Sequence, residues 1–181
     1  MKNSIKRWQI LGFFITSAIG ILLHFLYDWL NEAAWIAPFS SINESTWEHM
    51  KILFWPMFIF AIIESFFFKE TKNFWCVKLK GILLGLLLIP VIFYTYNGAF
   101  AKSPSWFNIA IFFVTAAIVY IYETRMFKKD NMIFISPKLA IPLLCITAIL
   151  FVTFSFVNPE LGIFKDPTKE TQEIILNLSY R

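Results

Sequence analysis

Apolar residues along this 181-residue chain are gathered into five long runs, and short polar segments separate them. The runs cover residues 8–30, 46–68, 81–99, 107–122 and 139–157. Their lengths lie close to the roughly 20 apolar residues that a helix needs to cross the hydrocarbon core of a bilayer. The pattern therefore predicts an all-α integral membrane protein, a bundle of about five transmembrane helices.

The composition leads to the same class of protein. Hydrophobic residues make up 58% of the chain and charged residues 15%, and 22 residues are phenylalanine. Soluble domains are near half apolar and spread their polar residues over a surface. A soluble core of this length has no room for so much apolar mass, so the composition excludes an ordinary soluble domain.

The basic residues predict the orientation of the chain, because cytoplasmic loops of membrane proteins are enriched in Lys and Arg. They are concentrated before the first run, between the second and third, and between the fourth and fifth: Lys2, Lys6, Arg7, Lys69, Lys72, Lys78, Lys80, Arg125, Lys128, Lys129 and Lys138. We therefore expect the N-terminus inside, the C-terminus outside, and a cell membrane location, most simply a bacterial plasma membrane. The net charge of +4 then reflects topology, and no nucleic-acid partner is expected.

The predicted domain organisation is one transmembrane bundle over residues 1–157 and an extracytoplasmic tail over residues 158–181. In the tail, Asp166-Pro167 followed by Glu170 is a helix-start pattern. The apolar positions that follow at helical spacing are Ile174, Ile175 and Leu178. We expect a short amphipathic helix there.

Two polar segments adjoin the first and second apolar runs. His24 and Asp28 lie near the end of the first run, and residues 41–51, which read SINESTWEHMK, precede and begin the second. Residues four apart share one face of a helix, so His24 projects with Asp28, and Ser45 with His49. The linker is short, which predicts antiparallel neighbouring helices. The two histidines of the chain are then expected to converge with up to three carboxylates.

Such a convergence predicts two kinds of chemistry. Imidazole and carboxylate together suit zinc, iron or manganese, and the candidate ligands are His24, Asp28 and His49. A carboxylate beside a bound water is also a general base, and the candidate catalytic residues are Glu44, Glu48 and Ser45. The candidate lining of the same cavity is Asn43, Tyr94, Tyr96 and Asn97.

Structural roles are open for the same residues. Ser41 with Glu44, and Ser45 with Glu48, each fit a capping box in which the acid bonds an N-cap amide. Glu48 can also pair with Lys51 in a modest surface contact. The histidine and aspartate of the first run can form a simple hydrogen-bonded pair, and the tyrosines can belong to an interfacial belt.

Two further acids, Glu64 and Glu123, lie away from these segments. Glu64 follows Glu48 by 16 residues, which is about 24 Å of helix. We expect it near the inner surface, where lysines offer partners to both Glu64 and Glu123. Their predicted role is structural.

Beyond single residues, a longer pattern is carried by His24, by Asn43-Glu44-Ser45-Thr46-Trp47-Glu48-His49 with Lys51 and Pro56, and by Phe164-Lys165-Asp166-Pro167. Over nearly the whole chain it resembles an uncharacterised family of small bacterial multi-pass membrane proteins, which implies no established activity. The first motif is also similar to a string found in ceramidase-like membrane hydrolases and adiponectin-type receptors, many of which hold zinc with three histidines. That resemblance implies a metal-dependent lipid hydrolase, although this chain has two histidines and five predicted spans instead of seven.

Two functional hypotheses follow. The first is a membrane-embedded, metal-dependent enzyme, a hydrolase or transferase acting on a lipid or lipid-linked substrate at the outer leaflet. The second is a non-catalytic membrane protein, namely a partner subunit, a pH or cation sensor, or a small-solute permeation element, whose polar cluster binds an ion or a proton. The expected partners are the bilayer and either a lipid substrate or another membrane protein. The sequence leaves open whether the protein is an enzyme.

Overall fold

A computed structural model describes residues 2–71, 73–100, 104–128, 137–157 and 159–168. In these ranges all regular structure is helical. The elements are α1 (Lys2–Trp29), α2 (Thr46–Phe67), α3 (Phe74–Phe100), α4 (Ser105–Met126) and α5 (Pro137–Phe154), followed by a short 3-10 helix at Gly162–Phe164. The predicted all-α fold with five main helices is confirmed for the described part of the chain.

Four helices within the described ranges are long and apolar enough to cross a membrane: Ser4–Trp29, Thr46–Phe67, Phe74–Phe100 and Trp106–Met126. The apolar part of α5, Lys138–Phe154, is shorter. The protein is therefore a helical membrane protein with four clear candidate spans. The fifth span stays a prediction, and so does the placement of the two termini, because each span changes the side on which the chain emerges. The predicted tail helix falls mainly on residues 169–181, which lie outside the described residues.

The surface of the bundle is rich in large apolar side chains. Phe14, Phe66, Leu87 and Ile109, one on each of these four helices, are each more than half exposed. Lipid tails are as apolar as these side chains, so such a surface is favourable in a bilayer and unfavourable in water. The distribution agrees with the four candidate spans.

The centre of the bundle is formed by α2 and α3. Helix α3 contacts α2, α4 and α5, and α1 packs against α2 and α4. The fully buried side chains include Leu53 and Phe54 of α2, Leu79 of α3 and Val119 of α4. These residues form one core that runs between the central helices.

Side-chain contacts show that α1 and α2 are antiparallel, as predicted. At one end the rings of His24 and His49 have centroids 5.6 Å apart. At the other end Nε2 of Gln9 donates to Oε1 of Glu64 at 2.9 Å. We call the first the histidine end and the second the lysine end, because Lys78 contacts Glu64 there.

Helix α3 begins earlier than the apolar pattern predicts. Its first residue is Phe74, seven residues before Gly81, where the third apolar run begins. Lys78 therefore lies inside the helix and is 2% exposed. The sequence-based placement of Lys78 in a cytoplasmic loop is wrong, because carboxylates from two other helices neutralise its charge.

Candidate functional site

The linker between α1 and α2 is fixed against α1 by Ser40. Its hydroxyl donates to the carbonyl oxygen of Leu23 and accepts the N–H of Tyr27 at 2.9 Å. Leu23 and Tyr27 lie on either side of His24 in the sequence. The linker therefore crosses α1 at the level of His24 and brings Glu44 beside it.

The start of α2 is capped by side chains of the polar segment. Oγ of Ser45 accepts the N–H of Glu48 at 3.4 Å, and Oδ1 of Asn43 accepts the N–H of Ser45 at 2.8 Å. The Glu48 carboxylate accepts the N–H of Ile42 at 3.0 Å, so one half of the predicted capping box is present and the acid serves a different amide. In place of the other predicted box, Oγ of Ser41 donates to the carbonyl of Asn43 at 2.7 Å. The N–H of Glu48 is thereby satisfied as one free amide of the helix start, and the other contacts order the residues before the helix.

Glu48 and Lys51 form the predicted ion pair, with Nζ to Oε2 at 2.6 Å. Both side chains are buried, so the prediction of a surface contact is wrong. The ammonium of Lys51 also donates to the carbonyl of Ala37 at 2.7 Å and to Oγ of Ser155 at 3.0 Å. The linker and the end of α5 cover the pair, and its contacts favour a structural role over the predicted general base.

The two histidines face one carboxylate. Nε2 of His24 lies 3.5 Å from Oε1 of Glu44, and Nε2 of His49 lies 3.7 Å from Oε2 of the same side chain. The histidine side chains are 23% and 16% exposed, and that of Glu44 is 44% exposed. The predicted convergence of the histidines with a carboxylate is confirmed. We call His24, Glu44 and His49 the histidine cluster.

The hydrogen bond of the other ring nitrogen fixes the proton arrangement of His49. Its Nδ1 lies 2.9 Å from the backbone carbonyl oxygen of Ser45. A carbonyl oxygen only accepts, so Nδ1 carries the hydrogen and Nε2 of the neutral ring is a lone pair. That lone pair faces a carboxylate oxygen of Glu44. The contact becomes attractive when Nε2 gains a proton or another cation.

A small cavity lies behind the cluster. It is lined by Glu44, Thr46 and His49, by Ile89 and Phe93 of α3, and by Asn108, Ile111 and Phe112 of α4. It offers about 20 Å³ of room for the centres of water molecules, which is enough for roughly one water. Glu44 and His49 therefore border a small recess with a largely apolar wall, and the Glu44 carboxylate is partly exposed.

The predicted metal ligands are only partly brought together. Asp28 is exposed, and the carboxylate that faces the two histidines is that of Glu44. Among the described residues, no group of three or more His, Cys, Asp or Glu side chains that could hold a metal ion is found. The ligand set of His24, Asp28 and His49 stays a prediction, and the geometry unites only its two histidines.

Three residues of the predicted cavity lining, Tyr94, Tyr96 and Asn97, lie on α3, which borders the cavity through Ile89 and Phe93. The fourth, Asn43, lies in the linker and bonds the N–H of Ser45. Tyr94 is 44% exposed, and Tyr96 stacks on a phenylalanine of α4 with ring centroids 3.9 Å apart. Nδ2 of Asn97 donates to the carbonyl of Phe93 at 2.9 Å. The side chains at the cavity include Phe93 and, from α4, Asn108, which sequence reasoning did not select.

A second acid from the tail approaches the cluster. Oδ2 of Asp166 accepts the N–H of Glu44 at 3.4 Å, and its charge acts on His49. Next to it, Phe164 is buried against Trp47 with ring centroids 4.7 Å apart. The two parts of the sequence motif, far apart in the chain, therefore meet at the histidine end.

A separate charged cluster lies at the lysine end, where sequence reasoning expected only paired surface acids. Nζ of Lys78 contacts Oε2 of Glu64 and lies 2.6 Å from Oε2 of Glu123. All three side chains are buried, and Gln9 also bonds Glu64. The predicted pairing with a lysine is confirmed, but one lysine serves both acids. We call Lys78, Glu64 and Glu123 the lysine cluster.

Gly81 makes room for the lysine cluster. A Cβ atom at this position would lie 2.3 Å from Oε1 of Glu123, well inside van der Waals contact. The glycine lets the carboxylate of α4 press against the backbone of α3. A glycine one turn after a lysine, facing an acid in an apolar run, is the sequence signal from which this cluster could have been inferred.

Comparison with known proteins identifies the family. The model of one family, described as a family of unknown function (DUF6512), matches residues 1–173. No curated protein and no solved structure matches the chain. The match spans all five helices and both clusters, and it confirms the predicted membership of an uncharacterised family, whereas the ceramidase-like resemblance stays a prediction. The chain belongs to the family of unknown function DUF6512.

Proposed function

We propose that this protein is a non-catalytic membrane protein that binds a proton at the histidine cluster and thereby senses pH. The observation that carries the proposal is the orientation of His49. Its Nδ1 donates a hydrogen bond to the carbonyl of Ser45, so the lone pair on its Nε2 faces the Glu44 carboxylate. This arrangement is favourable only when Nε2 carries positive charge.

A proton is the simplest cation for this position. Histidine is the side chain that ordinarily changes charge between about pH 5 and 8. The His49 side chain is only 16% exposed, and its burial is the strongest influence against the charged ring. The carboxylates of Glu44 and Asp166 favour the charged form, and His24 opposes it when charged. Proton binding therefore requires these carboxylates to offset the burial of the ring.

Protonation also has a structural consequence. Glu44 lies in the linker, His24 on α1 and His49 on α2, while the backbone N–H of Glu44 bonds Asp166 of the tail. An attractive cluster therefore holds four segments together. Below the pH at which His49 loses its proton the linker is held, and above that pH the contact weakens and the linker loosens.

The size of the cavity argues against lipid chemistry in this conformation. Pockets for small molecules commonly measure about 300–1,000 Å³, whereas the recess behind Glu44 and His49 offers about 20 Å³ for water centres. A water or a proton fits this space, and a lipid headgroup does not. The geometry therefore supports proton binding better than lipid turnover.

Histidine-selective NMR tests the proposal, because the chain has only two histidines and one substitution assigns both signals. In the full-length protein in lipid nanodiscs, Glu44→Gln should reduce the protonated fraction of His49 in a titration between about pH 5 and 8. Amide hydrogen exchange at residues 41–49, corrected for intrinsic rates, should be slower at about pH 5 than at about pH 8 in the wild type. In Glu44→Gln it should be the same at the two pH values. Glu32→Gln removes an exposed linker acid and should leave both readouts unchanged. Equal exchange at both pH values in the wild type would contradict the proposal.

A metal-dependent lipid enzyme is the second candidate. The hydrogen bond between Nδ1 of His49 and the carbonyl of Ser45 also favours this function. Metal-bound histidines commonly donate their other ring N–H to a backbone carbonyl, as Nδ1 of His49 does to Ser45. In this alternative the two histidines would be ligands and Glu44 the general base on a bound water. Elemental analysis of the purified protein beside His24→Ala and His49→Ala separates the candidates. About one zinc, iron or manganese per chain, lost in both variants, would favour the enzyme.

A further inference from the structure

A groove with a volume of about 470 Å³ lies between α1 and α4 at the lysine end. Three of the side chains that line it are basic, namely Lys6 of α1, Arg125 of α4 and Lys128 in the turn that follows α4. All three are exposed. No acidic residue is among the described residues that line the groove, so its charge favours an anion.

The rest of the groove wall is largely apolar and faces outward. Ile10, Phe14 and Ile121 line it, and each is at least half exposed. Both helices are candidate membrane spans, so lipid surrounds this wall in a bilayer. A furrow of this kind is filled by an acyl chain, because no water is available there to occupy it.

The groove has cations at one end and an apolar wall beyond them, so it suits an amphiphilic ligand. We propose that this groove binds an anionic phospholipid, with its phosphate on Lys6, Arg125 and Lys128 and an acyl chain along Ile10, Phe14 and Ile121. Basic pockets between transmembrane helices are known to receive anionic lipid headgroups. The volume of the groove lies in the range of small-molecule sites, in contrast to the recess at the histidine end. This binding site is independent of the proposed proton site, which lies at the opposite end of the bundle.

The site can be tested with phosphatidylglycerol and phosphatidylcholine of identical acyl chains. Native mass spectrometry of the full-length protein in detergent, titrated with each lipid, gives two dissociation constants. The wild type should bind phosphatidylglycerol at least about tenfold more tightly, since each nearby Lys or Arg contributes roughly fivefold. Similar constants for the two lipids would overturn the proposal.

Charge variants locate the headgroup. Lys6→Gln and Lys128→Gln should each weaken phosphatidylglycerol binding about fivefold, and together with Arg125→Gln about 100-fold, with little effect on phosphatidylcholine. Arg7→Gln is the matched control, because Arg7 is exposed on the same helix and does not line the groove. An equal loss in Arg7→Gln would show a diffuse surface charge effect and overturn the site. The single variants keep the test decisive if the triple variant fails to fold.

A steric variant and a free anion test the acyl chain. Ala117 lines the groove, so Ala117→Phe should reduce the binding of both lipids while the charges remain. Inorganic phosphate at the lipid concentration should not displace phosphatidylglycerol. Displacement would assign the cations to free phosphate, and unchanged lipid binding in Ala117→Phe would place the lipid elsewhere. Either result would overturn the proposal.

Discussion

The two charged clusters of this protein have the same number of members and opposite physical characters. In the lysine cluster, Lys78 and Glu123 are 2.6 Å apart and every side chain is buried. In the histidine cluster, the nitrogen–oxygen distances are 3.5 and 3.7 Å, and Glu44 is 44% exposed. The comparison teaches that the number of charged residues in a membrane protein does not indicate their role. Contact distance and access to solvent do.

The difference follows from the cost of burying charge. Removing an ion from water costs several kcal/mol even after relaxation, and only close contacts with good geometry offset it. The lysine cluster offsets this cost with short contacts between one ammonium and two carboxylates, and its three side chains are buried. The contacts in the histidine cluster are longer, and its side chains are partly exposed. A proton can therefore enter or leave without unfolding of the bundle.

The largest expected effect comes from removing the cation of the lysine cluster. Lys78→Met would leave the carboxylates of Glu64 and Glu123 buried without a cation, so the free energy of unfolding should fall by about 3–5 kcal/mol. Thermal unfolding in detergent, followed by tryptophan fluorescence, measures the change. A triple variant that adds Glu64→Gln and Glu123→Gln should recover most of the stability, because no buried charge remains. A fully stable Lys78→Met would make the cluster dispensable and erase the contrast between the two clusters.

The next effect compares two glutamates that lie four residues apart. Glu48→Gln leaves the ammonium of Lys51 buried among neutral acceptors, so we expect a loss of about 3 kcal/mol. Glu44→Gln makes the same chemical change at an exposed position and should cost less than about 1 kcal/mol. Unfolding of both variants under one condition checks the difference. Equal losses would mean that exposure does not separate the two sites.

A smaller effect is expected at Gly81. In Gly81→Ala the new Cβ would displace the carboxylate of Glu123 and lengthen its contact with Lys78, at a cost of about 1–3 kcal/mol. Gly98→Ala in the same helix is the control, since a Cβ there has nothing within 4 Å. It should be neutral or slightly stabilising. The same unfolding assay ranks the two variants, and a neutral Gly81→Ala would show that α3 and α4 can separate without loss.

The helices could be predicted from the apolar runs, whereas the start of α3 could not. An apolar run is bounded by charged residues, so the sequence predicts a loop at Lys78. In the structure it belongs to the helix because Glu64 and Glu123 reach it from α2 and α4. That information is tertiary, since the three residues are widely separated in the sequence.

The candidate site was predictable to a similar extent. Helical spacing and a short linker were sufficient to bring His24 and His49 together. They were not sufficient to show that Glu44 is the carboxylate that faces both histidines, because the path of the linker depends on the bonds that Ser40 makes with α1. The contribution of Asp166 depends on how the tail folds back, which local sequence patterns do not specify.

The partners of Lys51, near the start of α2, become available in the order in which the chain is synthesised. Two of its partners, Ala37 and Glu48, precede it in the sequence and leave the ribosome first. The third, Ser155, follows it by 104 residues. The polar contacts around the start of α2 are therefore completed only when synthesis has passed the end of α5. A chain that stops before Ser155 lacks one acceptor for the buried ammonium of Lys51. The end of α5 therefore completes a set of contacts that the linker and α2 begin.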